Sequence, residues 1–149
     1  MKYIIKTSRM FIDTSAWIAL FSHDDRNHNE IKNLIMSLIR SQKVLHTSNY
    51  VFTETVTRLN TGKKWHYTFN FINFFENSIK SGAIIKYWVD NDLETQAVNF
   101  LRKYSNHRLS LTDATIAVLV KKHRLGEIIT TDGHFGKIGL KVLPTSRIT

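Results

Sequence analysis

The 149-residue chain has no cysteine, one proline and six glycines. Without thiols there is no disulfide framework, and every Cys-ligated zinc or iron–sulfur site is excluded. The single proline, Pro144, and the scattered glycines mark no linker, repeat or low-complexity tract, so the chain reads as one compact unit. Long apolar runs are missing as well. No stretch approaches the roughly 18 apolar residues of a membrane span. The N-terminal run Tyr3-Ile4-Ile5, hemmed in by Lys2, Lys6 and Arg9, is too short for a signal-peptide core. The expectation is a cytoplasmic protein without membrane association. No glycine-rich phosphate loop, HExxH pair or Gly-x-Ser-x-Gly elbow occurs, which removes P-loop enzymes, zincins and α/β-hydrolases. Acids are scarce: 12 Asp and Glu stand against 21 Lys and Arg, for a net charge of +9. That balance suits a polyanionic partner, nucleic acid first, although a merely dispersing basic surface would give the same count.

What is present supports a folded domain. With 42% hydrophobic and 11% aromatic residues, the chain can fill a core. At this length a fold buries roughly 68–70% of the unfolded surface. Met10-Phe11-Ile12 reads as the end of a short strand. Ile31, Leu34, Ile35, Leu38 and Ile39 recur at helical spacing and predict a helix over Glu30 to Arg40. Val44 to Thr47 predicts a strand and Tyr50 to Asn60 a helix. Lys64 to Lys80 predicts a longer helix with a stripe of Trp65, Phe69, Ile72, Phe75 and Ile79. Ala83 to Val89 predicts a strand. Asn91-Asp92-Leu93-Glu94 has capping-box spacing ahead of a helix faced by Leu93, Ala97, Phe100, Leu101 and Tyr104. Ala114 to Val120 is apolar nearly all round, as a buried helix would be, and Gly126 is the expected stop. Glu127 to Thr131 and Leu140 to Leu143 predict the last strands. Strands alternating with helices imply an α/β fold with a parallel sheet covered on both faces. Ligands of such sheets bind beyond the carboxyl ends of the strands.

Four carboxylates occupy informative places. Asp13 follows the first strand, and Asp132 follows Ile128-Ile129-Thr130-Thr131. Asp113 opens the most apolar helix, and Glu54 lies within the helix from Tyr50. Each has a plain structural reading. Asp13 could cap a helix, Glu54 could pair with Arg58 at i+4, Asp113 completes Ser110-x-x-Asp113, and Asp132-Gly133 could be a turn. Taken together they point to a metal site. An unpaired carboxylate at a core edge is costly, and Mg²⁺ or Mn²⁺, which prefer oxygen ligands, would offset the cost. Setting the four aside leaves eight acids against 21 bases, a scaffold of +13 around an acidic pocket. That layout suits a phosphate backbone.

In order and wording, Phe-Ile-Asp13-Thr-Ser, a helical Glu54, Leu-Thr-Asp113-Ala and Thr130-Thr-Asp132-Gly-His-Phe resemble the acidic set of PIN domains, and of their VapC branch in particular. So does Asp25-Arg26-Asn27-His28, which looks like that branch's Asp-x-x-His after the first helix. The resemblance runs from Met10 onward. Residues 1–9 form an N-terminal extension relative to VapC chains, with Met10 an alternative start within a single PIN domain of 1–149. It implies a three-layer α/β/α sandwich around a mostly parallel sheet. It implies a metal-dependent endoribonuclease, the toxin of a VapBC-type toxin–antitoxin pair, using one or two Mg²⁺ or Mn²⁺ ions. Asp13 and Asp113 would be the main ligands, Glu54 and Asp132 would reach the ions directly or through water, and Thr130 would be the hydroxyl neighbour of Asp132. The implied reaction is attack of water on phosphorus, leaving a 5′-phosphate and a 3′-hydroxyl.

Beyond the acids, His134 is placed to touch RNA, and Lys121, Lys122, Arg124, Arg102 and Lys103 are candidate phosphate contacts, or else solvated helix ends. The other histidines have no ligand spacing. The rings of Tyr67, Phe71 and Phe74 exceed what one buried stripe needs and suggest a homodimer interface or a fuller core. Two other readings stay open: a PIN-fold RNA-processing nuclease, and a non-catalytic module that binds RNA or protein.

Overall fold

Residues 9–144 are described by a computed structural model. The element order is β1 (Met10–Ile12), α1 (Thr14–Phe21), α2 (His28–Arg40), β2 (Leu45–Ser48), α3 (Asn49–Thr61), a 3-10 turn (Trp65–Tyr67) and α4 (Thr68–Lys80). There follow β3 (Ile84–Tyr87), α5 (Asn91–Lys103), a 3-10 turn (Ser105–His107), α6 (Leu111–Lys122), β4 (Glu127–Ile129), α7 (His134–Lys137) and β5 (Val142–Leu143). The five strands form one sheet in the order β3-β2-β1-β4-β5, and every pairing is parallel. This is the expected helix–sheet–helix sandwich. The sheet is laid outward from β1 in two directions, so the strand order reverses between β1 and β4. A crevice beyond the strand ends is expected at such a reversal.

Strand alternation sorts the two faces. Thr47 faces α1, where its Oγ1 accepts a hydrogen bond from Trp17 Nε1 at 3.4 Å and donates to the Ile12 carbonyl at 3.2 Å. His46 and Tyr87 face the other way, where His123 at the end of α6 stacks on Tyr87. The core under α1 to α4 is aromatic. Trp17 packs against Phe71 and Phe75 with ring centroids 5.8 and 6.0 Å apart, and Phe21 meets Phe71 at 5.4 Å. On the other side α6 buries every residue from Ala114 to Val120, as its all-round apolar sequence demands.

Several local expectations are corrected. The long aromatic helix breaks into a 3-10 turn and α4, and its inner stripe is rotated: Thr68, Phe71 and Phe75 are buried, whereas Trp65 is 63% and Phe69 67% exposed. The tighter 3-10 turn puts Trp65 out of phase with the following helix. The cap of α5 is Asp90, whose carboxylate accepts from the Leu93 N–H at 2.9 Å, one residue before the spacing suggested. Helix α6 ends at Lys122, with Arg124 in the left-handed region at φ 52°, so Gly126 is not its stop. Gly126 instead donates its N–H to the Arg9 carbonyl at 2.8 Å and leads into β4 beside β1. The last two strands are shorter than expected, three and two residues. The Tyr3-Ile4-Ile5 run and the question of residues 1–8 lie outside the described residues.

Candidate active site

The parallel sheet delivers two acids to one edge. Asp13 is the first residue beyond β1, and its N–H continues the ladder to the Ile129 carbonyl at 3.0 Å. Its extended backbone, φ −80° and ψ 161°, turns the chain into α1 with Asp13 as the N-cap. Oδ1 accepts from the Thr14 N–H at 2.7 Å. Oδ2 accepts from Ser15 Oγ at 3.0 Å and from Thr130 Oγ1 at 2.9 Å. Thr130 Oγ1 in turn accepts from the Asp132 N–H at 2.9 Å, and Ser15 Oγ accepts from the Thr131 N–H at 3.0 Å. The carboxyl ends of β1 and β4 are thus laced together by two hydroxyls, and Thr130 touches both Asp13 and Asp132.

Asp113 and Glu54 arrive from helices. Ser110 and Asp113 form the capping box at the start of α6: Ser110 Oγ accepts from the Asp113 N–H at 3.0 Å and Asp113 Oδ2 from the Ser110 N–H at 3.0 Å. Glu54 lies in α3 with its carboxylate 3.6 Å from Arg58 one turn on. Asp132 Oδ1 accepts from the His134 N–H at 2.9 Å and stands 3.3 Å from its Nδ1. Every structural reading of the four acids therefore holds. None excludes the functional one, because Asp13, Glu54, Asp113 and Asp132 line a single cleft of about 240 Å³. Thr14, Ser15, Arg58, Arg108, Ser110 and His134 complete its wall.

The electrostatics mark this cleft as short of positive charge. Burial pushes the Asp13 carboxyl up to about 6, helped by the Asp113 charge and opposed by the hydrogen bonds from Thr130, Ser15 and Thr14. Burial also raises Asp113 above the usual carboxylate range, with Asp132 and Glu54 pushing the same way against the Ser110 bonds. Asp113 thus feels all three other acids. Their donor set is entirely carboxylate oxygen, which fits a hard divalent cation. Among the described residues, no three His, Asp or Glu side chains are grouped tightly enough to hold one ion as they stand. Local partners explain the spread: Glu54 leans on Arg58, Asp132 on His134, and Asp113 on the Ser110 N–H.

The other expected contacts divide. His134 lines the cleft. Lys103, Lys121 and Lys122 do not: they border a separate cavity of about 510 Å³ with Phe100. Nine residues of α6 separate Asp113 from Lys122, about 13 Å of helix rise, so these cations belong to the other end of the sheet. Arg102 is occupied with Asn99 Oδ1 at 3.0 Å, and Arg124 follows α6 at that same far end. The Asp25–His28 motif is structural. Asp25 Oδ1 accepts from the Asn27 N–H at 2.8 Å, its Oδ2 lies 3.7 Å from Lys64, and His28 Nδ1 is 2.8 Å from the Ala19 carbonyl, which ties α1 to α2.

Sequence reasoning missed Ser15 as a member of the site and Arg108 altogether. Ser15 had a signal, since a hydroxyl two residues beyond a strand-end acid can return to it. Arg108 had none: it sits in a loop, in the left-handed region at φ 50° and ψ 42°, and reaches the cleft only through the tertiary fold.

Known proteins align with this arrangement. The family model for the PIN domain matches residues 10–141. The 23S rRNA-specific endonuclease VapC20 of Mycobacterium tuberculosis (strain CDC 1551 / Oshkosh) is 30% identical over 131 residues, 87% of this chain and 94% of its own. The crystal structure of Mycobacterium tuberculosis VapC20, a sarcin-ricin loop cleaving toxin, superposes with a TM-score of 0.74 at 28% identity, covering 88% of this chain and 95% of that one. A toxin–antitoxin complex from Klebsiella pneumoniae shares the fold at a TM-score of 0.59 and 23% identity, over 91% of this chain and 96% of that one.

Proposed function

We propose that this chain, which belongs to the PIN-domain family, is a metal-dependent endoribonuclease and the toxin of a VapBC-type pair. One observation carries the reading: Asp13, Glu54, Asp113 and Asp132, up to 119 positions apart, line one cleft at the strand-order reversal. The likeness to a 23S rRNA-specific endonuclease supports RNA as the substrate. The match over residues 10–141 supports one PIN domain, with residues 1–9 ahead of it.

In this reading Asp13 and Asp113 would hold one or two Mg²⁺ or Mn²⁺ ions, and Glu54 and Asp132 would reach them directly or through water. When bound, the ions supply the positive charge that stabilises attacking and leaving oxygens at phosphorus. The protein's own part is positioning. Ser15 and Thr130 fix the Asp13 carboxylate, and the Thr130 hydroxyl holds the Asp132 main chain beside it. Arg58 and Arg108 stand on the cleft wall, where cationic side chains meet phosphate oxygens.

The chain works in the cytoplasm; among the described residues, no helix is long and apolar enough to cross a membrane. It forms a homodimer through the exposed rings of Trp65 and Phe69 rather than Tyr67, Phe71 and Phe74, since Phe71 is fully buried and Tyr67 and Phe74 pack against the core. A cognate antitoxin silences it by inserting a basic side chain among the four acids, in competition with the metal. Purified protein is to be incubated with ribosomal RNA in Mg²⁺ and in EDTA. Cleavage in Mg²⁺ that leaves 5′-phosphates, and none in EDTA or with Asp13→Asn, is the expected result. Undiminished cleavage by that variant, or binding of RNA without any cut, would overturn the assignment.

A further inference from the structure

We propose that the cavity at the amino edge of β1, β2 and β3, walled by Arg9, Lys43, His46 and Tyr87, is a phosphate site. It grips the RNA backbone at a distance from the acidic cleft. The substrate class rests on the ribonuclease reading; the site itself rests on geometry and charge.

Arg9 precedes β1 and Lys43 precedes β2, so both stand at the sheet edge opposite the four acids. With strands of three or four residues, the edges lie about 10–13 Å apart. Phe11 pairs with His46 in register, so Arg9, two residues before Phe11, shares the face of His46 and Tyr87. Helix α6 stops short over that face. His123, its C-cap, stacks on Tyr87 at 4.2 Å, and Ile85 is left 43% exposed. The result is an open cavity of about 530 Å³, larger than the acidic cleft.

Among the described residues, no Asp or Glu lines it. Among the described residues, neither Arg9 nor Lys43 has a carboxylate within ion-pairing distance. The imidazoles register the crowding. Burial lowers His46 below its ordinary range, and Arg9 and His123 lower it further; His123 is lowered by burial, then by Lys122 and Arg9. A bound anion would relieve all of these repulsions at once. A polyanion suits the surface better than a single carboxylate. His123, at the end of α6, feels both Lys122, which borders the second cationic cavity, and Arg9, which borders this one. A forked guanidinium beside stacked rings is a phosphate-binding chemistry.

Two binding measurements test the site. The full chain with Asp13→Asn, which leaves RNA intact, is titrated with a labelled stem-loop RNA over a salt series. It is compared with the same chain carrying Arg9→Gln and Lys43→Gln. Arg9 is exposed and Lys43 partly so, and circular dichroism checks that both proteins are folded. The expected result is about tenfold weaker binding, with a log–log salt slope shallower by roughly 1.4–1.8, two phosphate contacts at about 0.7–0.9 each. In the second arm, inorganic phosphate is added to the full chain and the His46 and His123 ring resonances are followed through pH by NMR. Phosphate should move both titrations upward, and the Arg9→Gln, Lys43→Gln chain should lose that shift. Titrations that shift while RNA affinity and slope stay unchanged would make this a free-phosphate site and overturn the RNA assignment. If neither arm responds, there is no site. Both arms read binding, so a wild-type chain that binds RNA without cutting it would sink the ribonuclease reading and leave this one standing.

Discussion

Replacing Asp13 by Asn separates the cost of the site from its use. In the folded chain the Asp13 carboxyl titrates at about 6, against 3.8 in the unfolded one. A raised acid binds its proton more tightly when folded. Its contribution is therefore neutral below about 4, turns unfavourable as pH climbs from 4 to 6, and stays so above. About two units at roughly 1.4 kcal/mol each make the ionised group cost the metal-free fold about 3 kcal/mol at pH 7.5. Asn carries no charge and removes that cost. It presents an amide N–H where Oδ2 accepts from Ser15 and Thr130, so those hydroxyls must turn round, at about 1 kcal/mol. The net expectation is a variant more stable by about 2 kcal/mol in EDTA at pH 7.5, or roughly 4–8 °C in Tm. At pH 4 the advantage should vanish, because Asp13 is then protonated in the wild type. Adding Mg²⁺ should reverse the order, since a cation at 100 times its Kd stabilises the wild type by about 2.7 kcal/mol and finds a poorer site in the variant. Thermal unfolding of both proteins at the two pH values, with EDTA and then Mg²⁺, reads every step. Part of the difference is relief of the repulsion between Asp13 and Asp113. A variant no more stable than wild type at pH 7.5 in EDTA, or a gap that persists at pH 4, would refute the reasoning. RNA cleavage should fall by more than about 100-fold, since even second-sphere partners of metal ligands cost 10–100-fold.

Other perturbations reach different parts of the argument. Thr130→Val keeps the shape but removes the hydroxyl shared by Asp13 and Asp132, so cleavage should drop about 10–100-fold in a folded protein; near-wild-type rates would show that the bridge is idle. Arg108→Gly relieves a left-handed backbone and should raise stability by about 1 kcal/mol while weakening cleavage; a more stable variant that cuts as fast as wild type would remove Arg108 from the site. Trp65→Ser with Phe69→Ser should convert a dimer to a folded monomer by light scattering, whereas Phe71→Ser should lose about 3–5 kcal/mol of stability. Removing Mg²⁺ with EDTA should abolish RNA cleavage without unfolding the chain, measured by product analysis beside circular dichroism; cleavage in EDTA would end the metal-dependent reading.

The resemblance to a known family and the local grammar of the chain agree because the site is written in short words. Asp13 and Asp132 are each announced by an apolar strand that ends in a polar turn, Asp113 by a capping box, and Glu54 by its place in an amphipathic helix. These signals depend on neighbours within four residues, and so they survive without coordinates. Helix α4 shows where such reasoning stops. Its sequence carries two apolar registers, one through Phe69 and one through Phe71. Trp17 and Phe21, some 50 residues earlier in the chain, decide between them together with Phe52, by packing on Phe71, Phe74 and Phe75.

The sequence by itself therefore pointed to the α/β class, to most of the elements in their order and to four candidate acids, because periodicity, capping and turn chemistry are local. The tertiary structure alone decided what meets what. Strand order brings β1 beside β4, so Thr130 can bond Asp13 across 117 positions. The parallel sheet sends α6 back across it, which places Asp113 at the cleft and leaves Lys121 and Lys122 at the far edge. Arg108, Arg9 and Lys43 gain their surroundings only from loops and strand starts that no periodicity reaches. Proximity between distant residues is set by packing and register over the whole chain, and no local window of sequence contains it.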